Sequence, residues 1–181
     1  MTAPTPQPTL SLQYLNSAAE HGFVAALSGV FEHSPWVPQR VAALRPFSSG
    51  QELLGALCAA VDRATPEEQM ALIRAHPELA GRAAIRGELT QQSEREQQGA
   101  GLAACTPEEF AHLHALNAQY TARFGFPFIL AVRGHTRDSV IAALEARTHN
   151  TLERERAVAL EQIDRIAAFR LGDLLGESLT G

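Results

Sequence analysis

Two short segments of this sequence specify the start of a helix almost completely, and they limit what the chain can fold into. Thr65-Pro66-Glu67-Glu68 and Thr106-Pro107-Glu108-Glu109 each provide a threonine for the N-cap, a proline for the first helical position and a glutamate three residues after the cap. We predict that the first segment starts a helix ending at His76, before a proline, and that the second starts a long helix ending near Gly125.

Periodic apolar residues predict further helices. The spacing is helical through Phe23, Leu27 and Val30, and Asn16 or Ser17 is placed to cap that helix. Other helices are predicted through Leu53, Leu57 and Ala60, from Thr90 to about Gly99, and over about residues 151–175 with Asn150 as the cap.

Strand-forming sequence is confined to one run, Phe126-Pro127-Phe128-Ile129-Leu130-Ala131-Val132, which is short, apolar and contains a proline. One isolated extended segment cannot form a sheet. We therefore predict an all-α fold, a single-domain helical bundle of about eight helices with one short extended segment.

The domain organisation follows from length and composition. A chain of 181 residues with 45% hydrophobic residues is typical of one globular domain with a sizeable core. Residues 1–10 are rich in proline and threonine, so we expect a flexible N-terminal tail there and the helical domain over residues 11–178.

Charge and cysteine content exclude several classes of partner. The formal net charge of −5 and the lack of a Lys/Arg cluster argue against nucleic acid. No apolar run is long enough to span a membrane, so no membrane partner is expected. Cys58 and Cys105 form no CxxC pair and indicate no disulfide framework, which favours the reducing cytoplasm.

His76 is a candidate for acid–base chemistry because Pro77 follows it. Proline disfavours the helical conformation of the preceding residue, so the imidazole is expected at the carbonyl end of a helix. The negative end of the helix dipole stabilises a cationic ring, which makes a proton available near neutral pH. The alternative is a solvated helix cap without a catalytic role.

The helix after Thr90 carries a polar face. Ser93, Glu96, Gln97 and Ala100 are spaced i, i+3, i+4 and i+7, so they lie on one side. A hydroxyl, a carboxylate and an amide beside a small residue are suited to recognising a ligand that approaches closely. A solvated helix face is the alternative.

The last predicted helix places a cation where an aliphatic side chain is expected. Arg170 falls within the apolar stripe of Ile163, Ala167 and Leu174. An inward guanidinium needs an anionic partner or a solvated cavity, so Arg170 is either a core ion pair, a side chain reaching solvent, or a clamp for a substrate carboxylate. The Phe126–Leu130 run similarly allows either a pocket wall or a connector that fills the core.

Other chemistries lack their motifs. The sequence has no Gly-rich phosphate loop and no Gly-x-Ser-x-Gly elbow. The histidines show no metal-ligand spacing, since His112 and His114 point to different sides of one helix.

Six short motifs, in order over nearly the whole chain, carry a resemblance to one family. They are Phe31-Glu32-His33-Ser34-Pro35-Trp36, Arg45-Pro46-Phe47, Ala75-His76-Pro77-Glu78-Leu79-Ala80-Gly81, Ser93-x-x-Glu96-Gln97-x-x-Ala100-Gly101-Leu102, Phe124-Gly125-Phe126-Pro127-Phe128-Ile129, and Arg147-x-x-Asn150-x4-Glu155-x-Ala157 leading to Arg170-Leu171. Together they resemble the 2-oxo-4-hydroxy-4-carboxy-5-ureidoimidazoline (OHCU) decarboxylases, which make S-allantoin in uric acid breakdown. The resemblance runs from about Asn16 to Leu175, and Glu78 stands where the family more often has aspartate.

The resemblance implies an all-helical homodimer that acts on a small-molecule substrate and needs no metal or organic cofactor. It implies that His76 is the proton donor, Glu96 its acidic partner and Arg170 the clamp for the substrate's anionic group. It further implies that the substrate is bound by Pro77, Ser93, Gln97 and the backbone of Phe128, Ile129, Leu130, Ala131 and Val132.

Two other functions are compatible with the same residues. One is a helical binding or scaffold module that keeps the pocket without the reaction, and the other is a lyase or hydrolase acting on a different ureido or imidazoline compound. The retention of His76, Glu96 and Arg170 favours an enzyme over a binding module. Sequence separates the related enzymes poorly, because pocket contacts decide which substrate is used.

Overall fold

The computed structural model describes residues 10–81 and 86–179. Within these ranges it contains nine fully described α-helices, two short 3₁₀ helices and no β-strand. The predicted all-α fold class is therefore confirmed. The α-helices are α1 (Leu12–Ser17), α2 (Glu20–Ala26), α3 (Trp36–Val41), α4 (Gly50–Asp62), α5 (Pro66–Ala75), α6 (Gln91–Gly99), α7 (Pro107–Phe124), α8 (Arg137–Arg147) and α9 (Leu152–Leu175), and the 3₁₀ helices are Ala42–Leu44 and Leu102–Ala104.

The predicted N-terminal tail lies outside the described residues except for Leu10. The Leu10 N–H donates to the carbonyl oxygen of Leu174 at 2.8 Å, which ties the chain entering α1 to the end of α9. The boundaries at residues 10 and 178 stay predictions.

Both Thr-Pro-Glu-Glu segments start helices as predicted. At α5 the Thr65 hydroxyl accepts from the Glu68 N–H at 3.2 Å, and the Glu68 carboxylate accepts from the Thr65 N–H at 2.9 Å. Thr106 and Glu109 form the same reciprocal pair at α7. Helix α7 ends at Gly125, whose φ of 77° is a left-handed conformation that favours glycine.

The predicted cap of the second helix is wrong. Ala19 is the N-cap of α2 and makes no side-chain capping bond. Asn16 instead pairs with the backbone of Phe47, giving and receiving one hydrogen bond of 2.8 Å each. Leu27 and Val30 are buried as expected, but they follow the end of α2 because the chain turns there.

The predicted cap of the last helix is also wrong. The Thr151 hydroxyl accepts from the Arg154 N–H at 3.2 Å, whereas the Asn150 side chain donates to the Glu155 carboxylate at 2.7 Å. Both asparagines therefore bond to a group other than the start of the helix that they were predicted to cap.

Two compact units make up the chain. The first contains the described residues up to Arg63 and from Ala167 onward, and the second contains Ala64–Ile166. The first unit buries apolar residues of α1 to α4, whose side chains are less than 2% exposed at Leu15, Phe23, Val37, Leu53 and Leu57. The second buries Leu72, Ile73, Leu113, Tyr120 and Val140 to the same degree.

No helix within the described ranges combines the length and the apolar character that crossing a membrane requires.

Candidate functional site

His76 lies where the sequence predicts, at the C-cap of α5. Its backbone is extended, with φ −76° and ψ 137°, because Pro77 excludes the helical conformation. The His76 backbone N–H donates a hydrogen bond to the carbonyl oxygen of Ile73 at 3.2 Å. The ring Nδ1 lies 2.9 Å from the carbonyl oxygen of Leu72. The imidazole therefore caps one of the last helical carbonyls, and the residue is only 6% exposed.

This contact fixes the chemistry of the two ring nitrogens. A carbonyl oxygen only accepts hydrogen bonds, so Nδ1 of His76 carries a hydrogen and donates it to Leu72. Nε2 is then the nitrogen that can gain or lose a proton. A buried imidazole held in one orientation at the negative end of a helix is suited to proton transfer.

The loop after His76 is anchored at successive residues. Asn117 of α7 donates to the Leu79 carbonyl oxygen at 2.8 Å, and the Ala80 N–H donates to Gln97 Oε1 of α6 at 2.9 Å. Ala80 has a φ of 49°, a left-handed conformation that costs a non-glycine residue roughly 1–2 kcal/mol. A Cβ on Gly81 would lie 2.6 Å from the Cβ of Glu78, so this turn requires glycine there.

The polar face of α6 faces the interior. Ser93, Gln97 and Ala100 are buried and Glu96 is half-buried, so the solvated-face alternative is wrong for this helix. The hydrogen bond from Ala80 to Gln97 joins this face to the loop that follows His76.

The extended segment Phe128–Val132 is buried throughout, and part of its backbone is bound by side chains. The Ile129 carbonyl accepts from Arg147 Nη1 at 2.6 Å, and the Ala131 N–H donates to Gln162 Oε1 at 3.0 Å. Among the described residues, Leu130 makes no hydrogen bond through its N–H or its carbonyl. The Leu130 N–H and carbonyl oxygen therefore have no hydrogen-bond partner among the described residues. They lie between Ile129 and Ala131, which are both held by side chains.

Arg170 belongs to the first compact unit, whereas the other predicted site residues belong to the second. As predicted from the stripe on α9, its side chain points inward and is 5% exposed. Nη1 donates to Glu32 Oε2 at 2.8 Å and to the Gly29 carbonyl oxygen at 3.3 Å. The guanidinium thus already binds a carboxylate, which matches the core ion-pair alternative, and its role as a clamp stays a prediction.

Sequence reasoning assigned no role to a buried carboxylate, Glu155. Its side chain is 0% exposed and accepts hydrogen bonds from Arg147, Asn150 and the Tyr120 hydroxyl. Burial favours a higher pKa for Glu155, but the hydrogen bonds and the charge of Arg147 outweigh it and lower the pKa. Burial and the bond to Glu155 raise the pKa of Tyr120, which stays protonated.

Sequence reasoning also assigned no role to Asn117, although its position on a helix face indicates a buried polar contact. It lies on the stripe formed by Leu113, Tyr120 and Phe124, and its side chain is 2% exposed. A polar residue on an apolar stripe requires a buried partner, which here is the Leu79 carbonyl after His76.

A cavity of about 420 Å³ lies beside this site, in the second unit. It shares Ala80 and Gln97 with the site, and its other described lining residues include Leu89, Leu102 and Phe110. Neither His76 nor the Phe128–Val132 segment lines it, so we do not place the chemistry there.

The described residues contain no group of three or more His, Cys, Asp or Glu side chains arranged to hold a metal ion.

Comparison with known proteins identifies the family to which the chain belongs. The family model described as OHCU decarboxylase matches residues 16–172. A Haloferax volcanii protein named 2-oxo-4-hydroxy-4-carboxy-5-ureidoimidazoline decarboxylase is 40% identical over 164 residues, which cover 91% of this chain and 95% of that protein. The Bacillus subtilis uric acid degradation bifunctional protein PucL is 42% identical over 163 residues, covering 90% of this chain and 32% of that protein.

A solved structure is also similar to this chain. The crystal structure of an (S)-allantoin synthase superposes with a TM-score of 0.73 at 31% identity, covering 90% of this chain and 52% of that one. The fold places the chain in the class of all-α proteins. Within it, the chain belongs to the OHCU decarboxylase family, and the resemblance of its six motifs is confirmed.

Proposed function

We propose that this protein decarboxylates 2-oxo-4-hydroxy-4-carboxy-5-ureidoimidazoline to S-allantoin in the breakdown of uric acid, without a cofactor. The observation that carries the proposal is the 40% identity to a protein of that name, over 95% of that protein's length. The buried His76 at the helix end supports it, because the reaction needs one proton delivered from a fixed direction.

The chemistry requires three tasks. The substrate carries a carboxylate and a hydroxyl on one ring carbon, and loss of CO2 leaves an electron pair that the ring's own unsaturation delocalises before protonation. The protein must orient the departing carboxylate, stabilise the developing negative charge and protonate one face of the ring. The uncatalysed reaction also occurs, so the protein contributes rate and handedness.

His76 is the proposed proton donor, through Nε2, and Glu96 its acidic partner. The contact of Nδ1 with Leu72 supports this role because it holds the ring in one orientation. Glu96 is half-buried on the face of α6 that the Ala80–Gln97 bond joins to the His76 loop. It either keeps His76 cationic or accepts the proton of the substrate hydroxyl.

The remaining roles concern binding. Arg170 is proposed as the anion clamp on the family resemblance, and in the described structure its guanidinium binds the Glu32 carboxylate. Leu130 supports a binding role for its segment because its donor and acceptor make no bonds to the described residues. The proposed substrate-binding residues are Pro77, Ser93, Gln97, Phe128, Ile129, Leu130, Ala131 and Val132.

Circular dichroism of freshly prepared OHCU tests the activity. The wild-type protein is expected to produce S-allantoin faster than buffer, and equal rates would refute the proposal. His76→Asn keeps a donor for the Leu72 carbonyl but cannot transfer a proton, so it and His76→Ala are expected to lose the acceleration while staying folded. His149→Ala, at an exposed position, is the control and should keep wild-type activity.

We also propose that the protein is a cytoplasmic homodimer. The dimer is supported by the family resemblance, and the location by the cysteine pattern of the sequence, in which Cys58 and Cys105 form no CxxC pair and indicate no disulfide framework. Light scattering behind a sizing column should give twice the chain mass of 19.5 kDa. A single-chain mass at micromolar concentration would contradict the dimer.

A further inference from the structure

One guanidinium, that of Arg147, holds two successive residues of the extended segment. Nη1 donates to the Ile129 carbonyl oxygen at 2.6 Å, and the guanidinium carbon lies 4.5 Å from the centre of the Phe128 ring. A hydrogen bond and a cation–π contact from one planar group fix the direction of the carbonyl and the position of the ring together. Gln162 binds the Ala131 N–H, so Leu130 lies between two held residues.

Glu155 in turn fixes the plane of this guanidinium. Nε of Arg147 lies 3.2 and 3.1 Å from the two carboxylate oxygens, and Nη2 lies 2.8 Å from Oε2. With Nε and Nη2 bound on one side, the direction of Nη1 is determined. The Glu155 carboxylate, on α9, is held by the Tyr120 hydroxyl of α7 and by Asn150, which precedes α9, so both helices contribute to the orientation.

The geometry points to Arg147, oriented by Glu155, as a positioning residue that sets the Ile129–Leu130 backbone for the substrate. It acts through the Ile129 carbonyl and is not itself a catalytic residue. The inference rests on the proposed function, since it assumes that this segment binds the substrate. The competing explanation is an ion pair that stabilises the core and has no effect on the segment's geometry.

The test compares the same substitution at two arginines. Arg147→Lys keeps the charge opposite Glu155, but one ammonium cannot reproduce the planar fork that also reaches Ile129. Arg137→Lys is the matched control. Arg137 Nη1 likewise binds a carboxylate, that of Glu109 at 2.8 Å, and a backbone carbonyl, that of Ala104 at 2.5 Å, outside the segment.

Two readouts are measured on full-length variants that are folded by circular dichroism. Amide hydrogen exchange over residues 126–133 should accelerate about tenfold in Arg147→Lys, because the segment loses one of its two fixed points. KM for OHCU should rise about tenfold while kcat changes less than about threefold, as expected when ground-state and transition-state binding weaken together. Arg137→Lys should show neither change.

The inference is overturned if folded Arg147→Lys keeps exchange and KM within about twofold of wild type, or if Arg137→Lys gives the same changes. If Arg147→Lys does not fold, Glu155→Gln takes its place in the test. This substitution keeps the shape of the side chain but weakens its interaction with the Arg147 guanidinium. It should shift both readouts in the same direction, and unchanged values would overturn the inference. A wild-type protein inactive on OHCU refutes the proposed function, while exchange still decides whether Arg147 orders the segment.

Discussion

At the scale of single residues, the buried charges are the features whose removal has the clearest consequence. Glu32 and Arg170 form an ion pair at 2.8 Å with side chains 2% and 5% exposed. Such a pair need not stabilise the fold more than apolar residues of the same size, but breaking it leaves one charge without compensation.

Arg170→Met should destabilise the protein by about 3–5 kcal/mol, because the Glu32 carboxylate stays buried without its cation. The double variant Glu32→Gln/Arg170→Met should recover a large part of that loss. Urea unfolding measures both. Equal free energies of unfolding for the single and double variants would mean that the two charges are not coupled.

Glu155 gives the wild-type protein a specific pH dependence. Its folded-state pKa is lowered, so the folded state binds fewer protons than the unfolded state near that pKa. The stabilisation is fully present above the unfolded value of about 4.3 and is lost as the pH falls through the lower folded value.

Glu155→Gln should therefore be less stable than wild type at pH 7, and the difference should shrink below about pH 4.3. Urea midpoints measured across this range test the prediction. Glu153→Gln is the control, since Glu153 lies exposed in the same first turn of α9. A difference between Glu155→Gln and wild type that does not vary with pH would contradict the assignment.

At the scale of elements, two helix-interior glycines have opposite surroundings. A Cβ on Gly172 of α9 would lie 2.6 Å from the carbonyl oxygen of Glu177, where the chain turns back after the helix. Gly55 of α4 is exposed, and a Cβ there has no atom within 4 Å among its described neighbours.

Gly55→Ala should stabilise the protein by roughly 0.5–1 kcal/mol through helix propensity. Gly172→Ala should destabilise it by about 1–3 kcal/mol, because the overlap with backbone outweighs the same propensity gain. Thermal unfolding compares the two directly. A stabilising Gly172→Ala would show that the turn after α9 moves at little cost.

At the scale of the whole molecule, charge sets the expected partners. The formal net charge of −5 is carried by 20 acidic against 15 basic residues, and the sequence shows no Lys/Arg cluster. The protein should pass through immobilised heparin at neutral pH and about 0.1 M salt, with a basic protein of similar size as the positive control. Retention under these conditions would reveal a basic surface that only the fold creates.

The features predicted correctly from sequence have causes within a few residues. The caps at Thr65 and Thr106 depend on side chains three positions away, and the end of α5 at His76 depends on the next residue. The inward direction of Arg170 follows from helical periodicity, and the structure gives it a 7% exposed position.

The features that sequence left open or misassigned have distant causes. Asn16 looks like a cap, yet its partner is Phe47, 31 positions away. The Arg147 motif is visible in the sequence, but its contact with Ile129 spans 18 positions. No local pattern selects among such partners, because chain packing brings them together.

The sequence by itself determined the all-α class and the helix end at His76, because capping, proline and periodicity act within a few residues. The six motifs carried the resemblance to the family. Only the tertiary structure decided that the face of α6 is buried, that Glu32 pairs with Arg170, and that Arg147 binds the Ile129 carbonyl oxygen. Buried polar groups must find partners, and packing decides which groups come within reach.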